Sequence, residues 1–235
     1  RNRRQRQMCI RDSLQSISEL TGIESGSIIR IGAMTTQADI IDNASLASSA
    51  PILKEASLQI ADPQVRYMGT VGGNVANGDP GNDMPGLMQC LDATFILRGP
   101  NGEREVKARD FYHAAYMTER EDDEVMVAVT FDAPKGGYAY EKQKRKIGDY
   151  ATAAAAVIIS KDGSTCKEAS IAMTNLSDTP VFCGAASDAL IGTSVSAEDI
   201  KNAVSSMIDA IDPAEDNRGP AVSYTHLTLP TIAKV

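Results

Sequence analysis

Gly72 and Gly73 stand side by side in the densest glycine region of the chain, Met68–Gly86, and no other feature limits the backbone so directly. Two adjacent glycines have no Cβ to fend off a ligand and can take positive φ, so consecutive N–H groups can converge on an anion. The segment Gly69-Thr70-Val71-Gly72-Gly73-Asn74-Val75-Ala76-Asn77 would suit a pyrophosphate, with Thr70 and Asn74 adding side-chain hydrogen bonds. Asp79, Pro80 and Asp83 follow, and an acidic residue soon after a phosphate loop can accept from a ribose. The same glycine pair also serves an ordinary tight turn. Neither G-x-G-x-x-G nor G-x-x-x-x-G-K-[ST] occurs, so the common dinucleotide-binding and P-loop folds are unsupported.

Patterning on either side predicts an α+β chain in two lobes. Ser27–Ala33 reads as a strand of β-branched residues, followed by Thr35-Thr36 as a helix cap before Gln37–Asp42. Pro51–Ile60 has the apolar spacing of a helix with proline at its first position, and Pro85–Leu91 is a second helix candidate. Ala93–Leu97 and Glu103–Val106 read as strands around Gly99-Pro100-Asn101-Gly102, and Glu124–Phe131 as a further strand. Ala133-Pro134-Lys135-Gly136-Gly137 is the candidate boundary, giving one domain over 14–132 and another over 133–221. Tyr138–Lys144, Ala151–Ile159 and Cys166–Thr174 then suggest an antiparallel meander, with an amphipathic helix over Ala197–Ile211 to cover it.

Both ends read as foreign. Met8-Cys9-Ile10-Arg11-Asp12-Ser13 and Val222-Ser223-Tyr224-Thr225-His226 can be encoded by one nucleotide string and its reverse complement, as a sequencing-library adapter translated from both sides would be. Residues 1–13 and 222–235 are therefore set aside as adapter-like tails. They hold Arg1, Arg3, Arg4, Arg6, Arg11 and Lys234 against Asp12, so the intervening stretch is more acidic than the whole chain's net charge of -8. An electrostatic grip on nucleic acid or an anionic membrane is disfavoured, and no apolar run is long enough for a transmembrane segment. A cytoplasmic location is expected. Between the tails only His113, Cys90, Cys166 and Cys183 remain of their types, in spacings that offer neither a catalytic relay nor a metal cluster. His113 has no recognisable partner, and the cysteines read as buried packing residues.

A second cluster, Tyr140-Glu141-Lys142-Gln143-Lys144-Arg145-Lys146, makes a positive island in this acidic chain. It suits an anionic cofactor or an acidic patch on a partner, and equally a solvated strand edge whose lysines block edge pairing. Tyr140 and Lys142 share one strand face.

The residues just quoted carry a resemblance. Ile31-Gly32-Ala33-Met34-Thr35-Thr36, Gln64-Val65-Arg66, the T-V-G-G-N loop at Thr70–Asn74 and Asp79-Pro80-Gly81-Asn82-Asp83-Met84-Pro85 resemble the FAD-binding subunits of the xanthine dehydrogenase and molybdenum hydroxylase family. Tyr140-Glu141-Lys142, Arg145-Lys146, Gly148–Val157 and Asp216-Asn217-Arg218-Gly219-Pro220-Ala221 are similar, more narrowly, to the medium chains of its aerobic carbon monoxide dehydrogenase branch. The resemblance implies a PCMH-type FAD-binding middle domain followed by a C-terminal antiparallel sheet packed with helices. It implies an oxidoreductase subunit with FAD as cofactor, which the protein holds and tunes. A molybdopterin large subunit would oxidise the substrate, an iron–sulfur small subunit would relay electrons, and the flavin would pass them to an external acceptor. Carried over by position, Thr70, Val71, Gly72, Gly73 and Asn74 lie along the pyrophosphate, Asn77 and Asp83 beside the nucleotide, and Met126 against the cofactor. Lys142 and Tyr150 approach the isoalloxazine, where a cation favours anionic reduced flavin.

Members of that family begin with a lobe of roughly fifty residues, an ordinary domain size, carrying a second glycine-rich loop that clamps the pyrophosphate. No such loop precedes Leu14, so the 235-residue chain is expected to hold FAD poorly. Other readings stay open: an FAD subunit serving a xanthine or aromatic-heterocycle dehydrogenase, a flavin-free assembly module, or a self-sufficient flavin oxidase.

Overall fold

The computed structural model describes residues 14–213. The adapter-like tails and the Asp216–Ala221 segment lie outside the described residues. In chain order the strands are β1 (Ile23–Glu24), β2 (Ile28–Gly32), β3 (Thr94–Gly99), β4 (Gly102–Lys107), β5 (Tyr112–Ala114), β6 (Met117–Thr118), β7 (Val125–Asp132), β8 (Gly137–Gln143), β9 (Ala153–Asp162), β10 (Thr165–Thr174) and β11 (Val181–Phe182). They form a five-stranded sheet in the order β1-β2-β7-β3-β4, a four-stranded sheet in the order β11-β10-β9-β8, and a small β5-β6 ribbon. Every neighbouring pair in these sheets is antiparallel.

Local chemistry accounts for the elements. Ile29 and Ile31 are fully buried on one face of β2, as the two-residue period requires. Thr36 caps the Gln37–Asp42 helix, its hydroxyl oxygen accepting from the Asp39 N–H while the Asp39 carboxylate accepts from the Thr36 N–H. Ser196 and Asp199 build the same reciprocal cap on the Ala197–Asp209 helix. Pro51 occupies the first turn of the Pro51–Gln59 helix, where its missing N–H costs nothing. In the second lobe β8, β9 and β10 form the expected meander.

The structure revises three expectations. The helix read over Pro85–Leu91 spans Asp83–Cys90. Pro85 lies inside its first turn, where N–H groups lack intrahelical partners anyway, so the proline did not mark the start. The β5-β6 ribbon was not foreseen. The glycine-rich region holds a short helix, Val71–Ala76, in place of an open loop.

One hydrophobic cluster runs through both sheets. Ile29, Phe95 and Val129 of the first sheet share it with Tyr140, Ala154, Ala156 and Ala172 of the second. The opposite face of the second sheet carries another cluster, where Val157, Ile159 and Ile171 meet Leu190, Val204 and Met207 of the C-terminal helices. The Asp83–Cys90 helix packs on the second sheet with all of its residues buried. Gly86 and Cys90 both touch β10. A Cβ on Gly86 would fall 2.1 Å from the Thr174 Oγ1.

Gly86→Ala should therefore destabilise the fold by about 1–3 kcal/mol, an overpacking cost that outweighs alanine's better helix propensity. Urea denaturation would read this, and adding Thr174→Ala should recover much of the loss. A Gly86→Ala variant as stable as the parent would contradict the tight helix–strand contact.

Candidate functional site

The backbone around Thr70 is fixed by its neighbour in space, the 33–37 segment. Thr36 and Thr70 form an antiparallel bridge. The Gln37 N–H donates to the Gly69 carbonyl at 2.9 Å, the Val71 N–H to Thr35 at 2.9 Å, and the Gly72 N–H to Ala33 at 2.8 Å. Thr70 then caps the Val71–Ala76 helix, its Oγ1 accepting from the Gly73 N–H at 3.1 Å. The Asn74 N–H donates to the Thr70 carbonyl at 3.0 Å.

This overturns the physical argument made for the glycine pair. Neither Gly72 nor Gly73 has positive φ, and the amides from Val71 to Asn74 are all bonded within the protein. They do not converge on an anion. Gly72 serves close approach instead: a Cβ there would sit 2.5 Å from the Ala33 Cβ. A helical Gly-Gly is costly in itself, and packing against Ala33 is what requires it at the first of the two positions.

Beside the helix lies a cavity of about 360 Å³. Thr70, Gly73, Asn74 and Asn77, four of the candidate residues, line it. Ile60, Val65 and Met68 supply an apolar wall, and Gln37, Arg66 and Asn82 add polar groups. Reading residues by type missed Gln37, Ile60, Met68 and Asn82; Gln64-Val65-Arg66 carried a signal only through the family resemblance. The Asn82 Nδ2 donates to the Asn74 carbonyl at 2.9 Å, and the Asn74 Oδ1 accepts from the Met84 N–H at 3.2 Å. These bonds tie the cavity edge to the start of the buried helix.

The remaining predicted residues lie elsewhere. Val71 and Gly72 are buried behind the cavity wall. Met126 is buried in β7 as part of the core. Tyr150 is 52% exposed and packs near Gly81. Asp83 and Lys142 meet each other: the Lys142 Nζ is 2.8 Å from the Asp83 Oδ2, and their side chains are 5% and 1% exposed. The Tyr140 hydroxyl donates to the other Asp83 oxygen, and Lys142 also donates to the Gln59 carbonyl at 3.3 Å. Lys142 is thus not a free cation and Asp83 not a free carboxylate, because burying either charge unpaired would be prohibitive. Burial pushes the Asp83 carboxyl above the usual carboxylate range, against the opposing pull of Lys142 and the Tyr140 hydrogen bond. Burial, reinforced by Asp83, raises the Tyr140 phenol well above its ordinary value.

Other candidate groups are structural. His113 has a partner after all: its Nε2 lies 2.7 Å from the Glu119 Oε2 across the β5-β6 ribbon. Cys90, Cys166 and Cys183 are buried and unbridged, and burial pushes the Cys90 and Cys183 thiols up to about 12. Among the described residues, no three His, Cys, Asp or Glu gather to hold a metal ion. A second cavity, of about 310 Å³ and lined in part by Cys90, Lys135 and Ser170, contains none of the predicted site residues.

The family described as FAD binding domain in molybdopterin dehydrogenase matches residues 2–134, and the CO dehydrogenase flavoprotein C-terminal domain matches 138–231. The chain belongs to this flavoprotein family. It is 52% identical over 217 residues to the carbon monoxide dehydrogenase medium chain of Afipia carboxidovorans, covering 91% of this chain and 75% of that one. It is 44% identical to the medium chain from Hydrogenophaga pseudoflava, covering 88% and 74%. A solved Cu,Mo-CO dehydrogenase in its cyanide-inactivated form superposes with a TM-score of 0.90 at 48% identity, covering 94% of this chain and 78% of that one. As a medium-chain flavoprotein of the molybdenum hydroxylases, the chain is an FAD-dependent oxidoreductase subunit that works with partner subunits. No helix among the described residues is long and apolar enough to cross a membrane.

The residues present fit the cofactor of this flavoprotein family. An apolar wall faces amide, hydroxyl and guanidinium groups, as a nucleotide with a flat base and charged phosphates needs. Two buried donor atoms, the Gln37 Nε2 and the Arg66 Nε, have no partner among the described residues.

The Asp83–Lys142 pair gives a testable consequence. Lys142→Met should cost about 3–5 kcal/mol at neutral pH by stranding a buried carboxylate. With Lys142 gone, the folded-state pKa of Asp83 rises further above its unfolded value, so the native state binds the proton more readily. The deficit should therefore shrink in acid and grow as pH rises through that pKa. Urea titrations at about pH 5 and about pH 8 would check the sign, and Asp83→Asn combined with Lys142→Met should regain most of the stability.

Proposed function

We propose that this chain is the FAD-carrying medium chain of an aerobic carbon monoxide dehydrogenase, receiving electrons from an iron–sulfur small subunit after a molybdopterin large subunit has oxidised carbon monoxide with water to carbon dioxide. The observation that carries this reading is the cavity beside Thr70, Gly73, Asn74 and Asn77 in a chain 52% identical to a carbon monoxide dehydrogenase medium chain. Bound FAD would supply the redox capacity to collect electrons and hand them to an external acceptor. The protein's share is to bind and orient. Ile60, Val65 and Met68 would give bound FAD an apolar surface, while Thr70, Asn74 and Asn77, which line the same cavity, would meet polar parts of the nucleotide. By the family resemblance Tyr150, half exposed beside Gly81, would offer a ring to the isoalloxazine. The Asp83–Lys142 pair positions the cavity by locking β8 to the helix that follows it. In this reading the FAD-binding unit ends near Asp132, the C-terminal unit begins near Gly137, and the complex works in the cytoplasm.

The full-length protein, purified and mixed with FAD, should acquire the flavin's visible absorption and quench its fluorescence. Assembled with its two partner subunits, it should lose that absorption when carbon monoxide is admitted without an acceptor. Thr70→Ala should weaken FAD binding and cost about 1 kcal/mol of stability through the lost helix cap. A protein that stays colourless with FAD yet still assembles would instead support a flavin-free docking module.

A further inference from the structure

Asn175 stands at the corner where β10 ends, one residue past the last ladder pair, Thr174 with Ala154. Its φ of 61° lies in the left-handed region, which asparagine tolerates better than most residues and which turns the chain out of the strand. Its carboxamide reaches the two residues ahead of β9. The Nδ2 donates to the Ala151 carbonyl at 2.9 Å and to the Thr152 carbonyl at 3.0 Å. Only the NH2 end of an amide can meet two carbonyl oxygens, so the orientation of the group follows from its contacts.

Those two residues close the connection between β8 and β9, and that connection borders the candidate site. The Thr152 N–H donates to the Gln143 carbonyl at 2.8 Å, continuing the β8–β9 pairing, and the Ala151 N–H donates to the Gly81 carbonyl at 3.3 Å. Tyr150, immediately before them, lies against Gly81, where an added Cβ would come 3.4 Å from its Cδ1. Asn82 follows Gly81 in the chain, lines the cavity and donates to the Asn74 carbonyl. A continuous series of bonds therefore runs from the corner after β10, through Ala151 and Gly81, to the cavity edge. Asn175 itself lies outside the cavity lining.

We infer that Asn175 is a positioning residue for the flavin: by holding Ala151 and Thr152 it sets the Gly81–Asn82 edge of the cavity, and with it how tightly and in what surroundings FAD is bound. This deepens the FAD reading and rests on it. The left-handed corner and the carboxamide are separable. Glycine keeps the first and removes the second, while aspartate keeps the corner and the shape but sets a carboxylate against two carbonyl oxygens.

The test is FAD titration of the full-length parent, Asn175→Gly and Asn175→Asp proteins, followed by quenching of flavin fluorescence, with the visible circular dichroism of the bound flavin recorded for each. Asn175→Gly should weaken FAD binding by about fivefold, the order of one hydrogen bond's net worth. Asn175→Asp should weaken it further, and both should alter the dichroism. A purely structural role would lower the urea midpoint and leave both flavin readings as in the parent, since the folded molecules would carry an unchanged site. Parent-like affinity and dichroism in both variants would therefore overturn the inference, whatever happens to stability, and leave the FAD reading standing. A second measurement needs no variant. In the parent, FAD should slow hydrogen exchange of the Ala151 amide, whose bond to Gly81 joins the site to Asn175. Exchange unchanged by FAD would overturn the inference too, even if neither variant folds. A parent that binds no FAD would sink the FAD reading and the inference with it.

Discussion

All eight residues of the Asp83–Cys90 helix are buried, and such an element persists only where neighbours cover every side of it. The second sheet does so together with the Pro51–Gln59 and Val71–Ala76 helices. The charged group at its start makes the demand sharper, because Asp83 enters the interior as a carboxylate and must be met there. Lys142 and Tyr140, two residues apart on β8 and on one face of it, meet it. Asn74 and Asn82 then tie the same helix start to the cavity edge. The site's shape, the helix's position and the docking of the C-terminal sheet thus depend on one buried ion pair.

Much of the fold was legible because its signals are local. A β-branched run ending in Gly-Ala, a Thr pair as a helix cap, and a proline at a helix start each specify an element through its own atoms. The strands of the second lobe were readable as the runs Tyr138–Lys144, Ala151–Ile159 and Cys166–Thr174, the last two joined through Lys161-Asp162-Gly163. What failed was equally physical. Pro85 looked like a starting point, yet a first turn tolerates proline at several positions. The β5-β6 ribbon has only Tyr112–Ala114 and Met117–Thr118 to announce it, and its stability draws on partners far along the chain: the Tyr116 N–H donates to the Gly78 carbonyl and the Tyr116 hydroxyl to Asp79.

The site was half legible. The family pattern led to Thr70, Gly73, Asn74 and Asn77, which do share a cavity. The chemical reason first offered for the glycine pair was wrong, because free amides in a sequence say nothing of which carbonyl will claim them. Here Thr35 and Ala33, more than thirty residues earlier, claim two of them. The same blindness hid the Asp83–Lys142 pair, whose members are 59 residues apart, and the Gln37 carboxamide, which only packing brings against the Ser57 hydroxyl. Spacing along a chain can nominate residue types; only packing decides which of their atoms remain to act.

The hydrophobic cluster that runs through both sheets has a bearing on how such a subunit can be rearranged. A recombination event at the Ala133–Gly136 connection would leave the alanine face of β9 bare on one product and the Asp83–Cys90 helix bare on the other. Neither half carries the polar surface of an independent module. The seam that looks simplest along the polypeptide is therefore the worst place to graft a foreign C-terminal half, unless the graft brings small side chains matched to that helix. Lineages of this architecture would then exchange whole subunits more readily than parts of one.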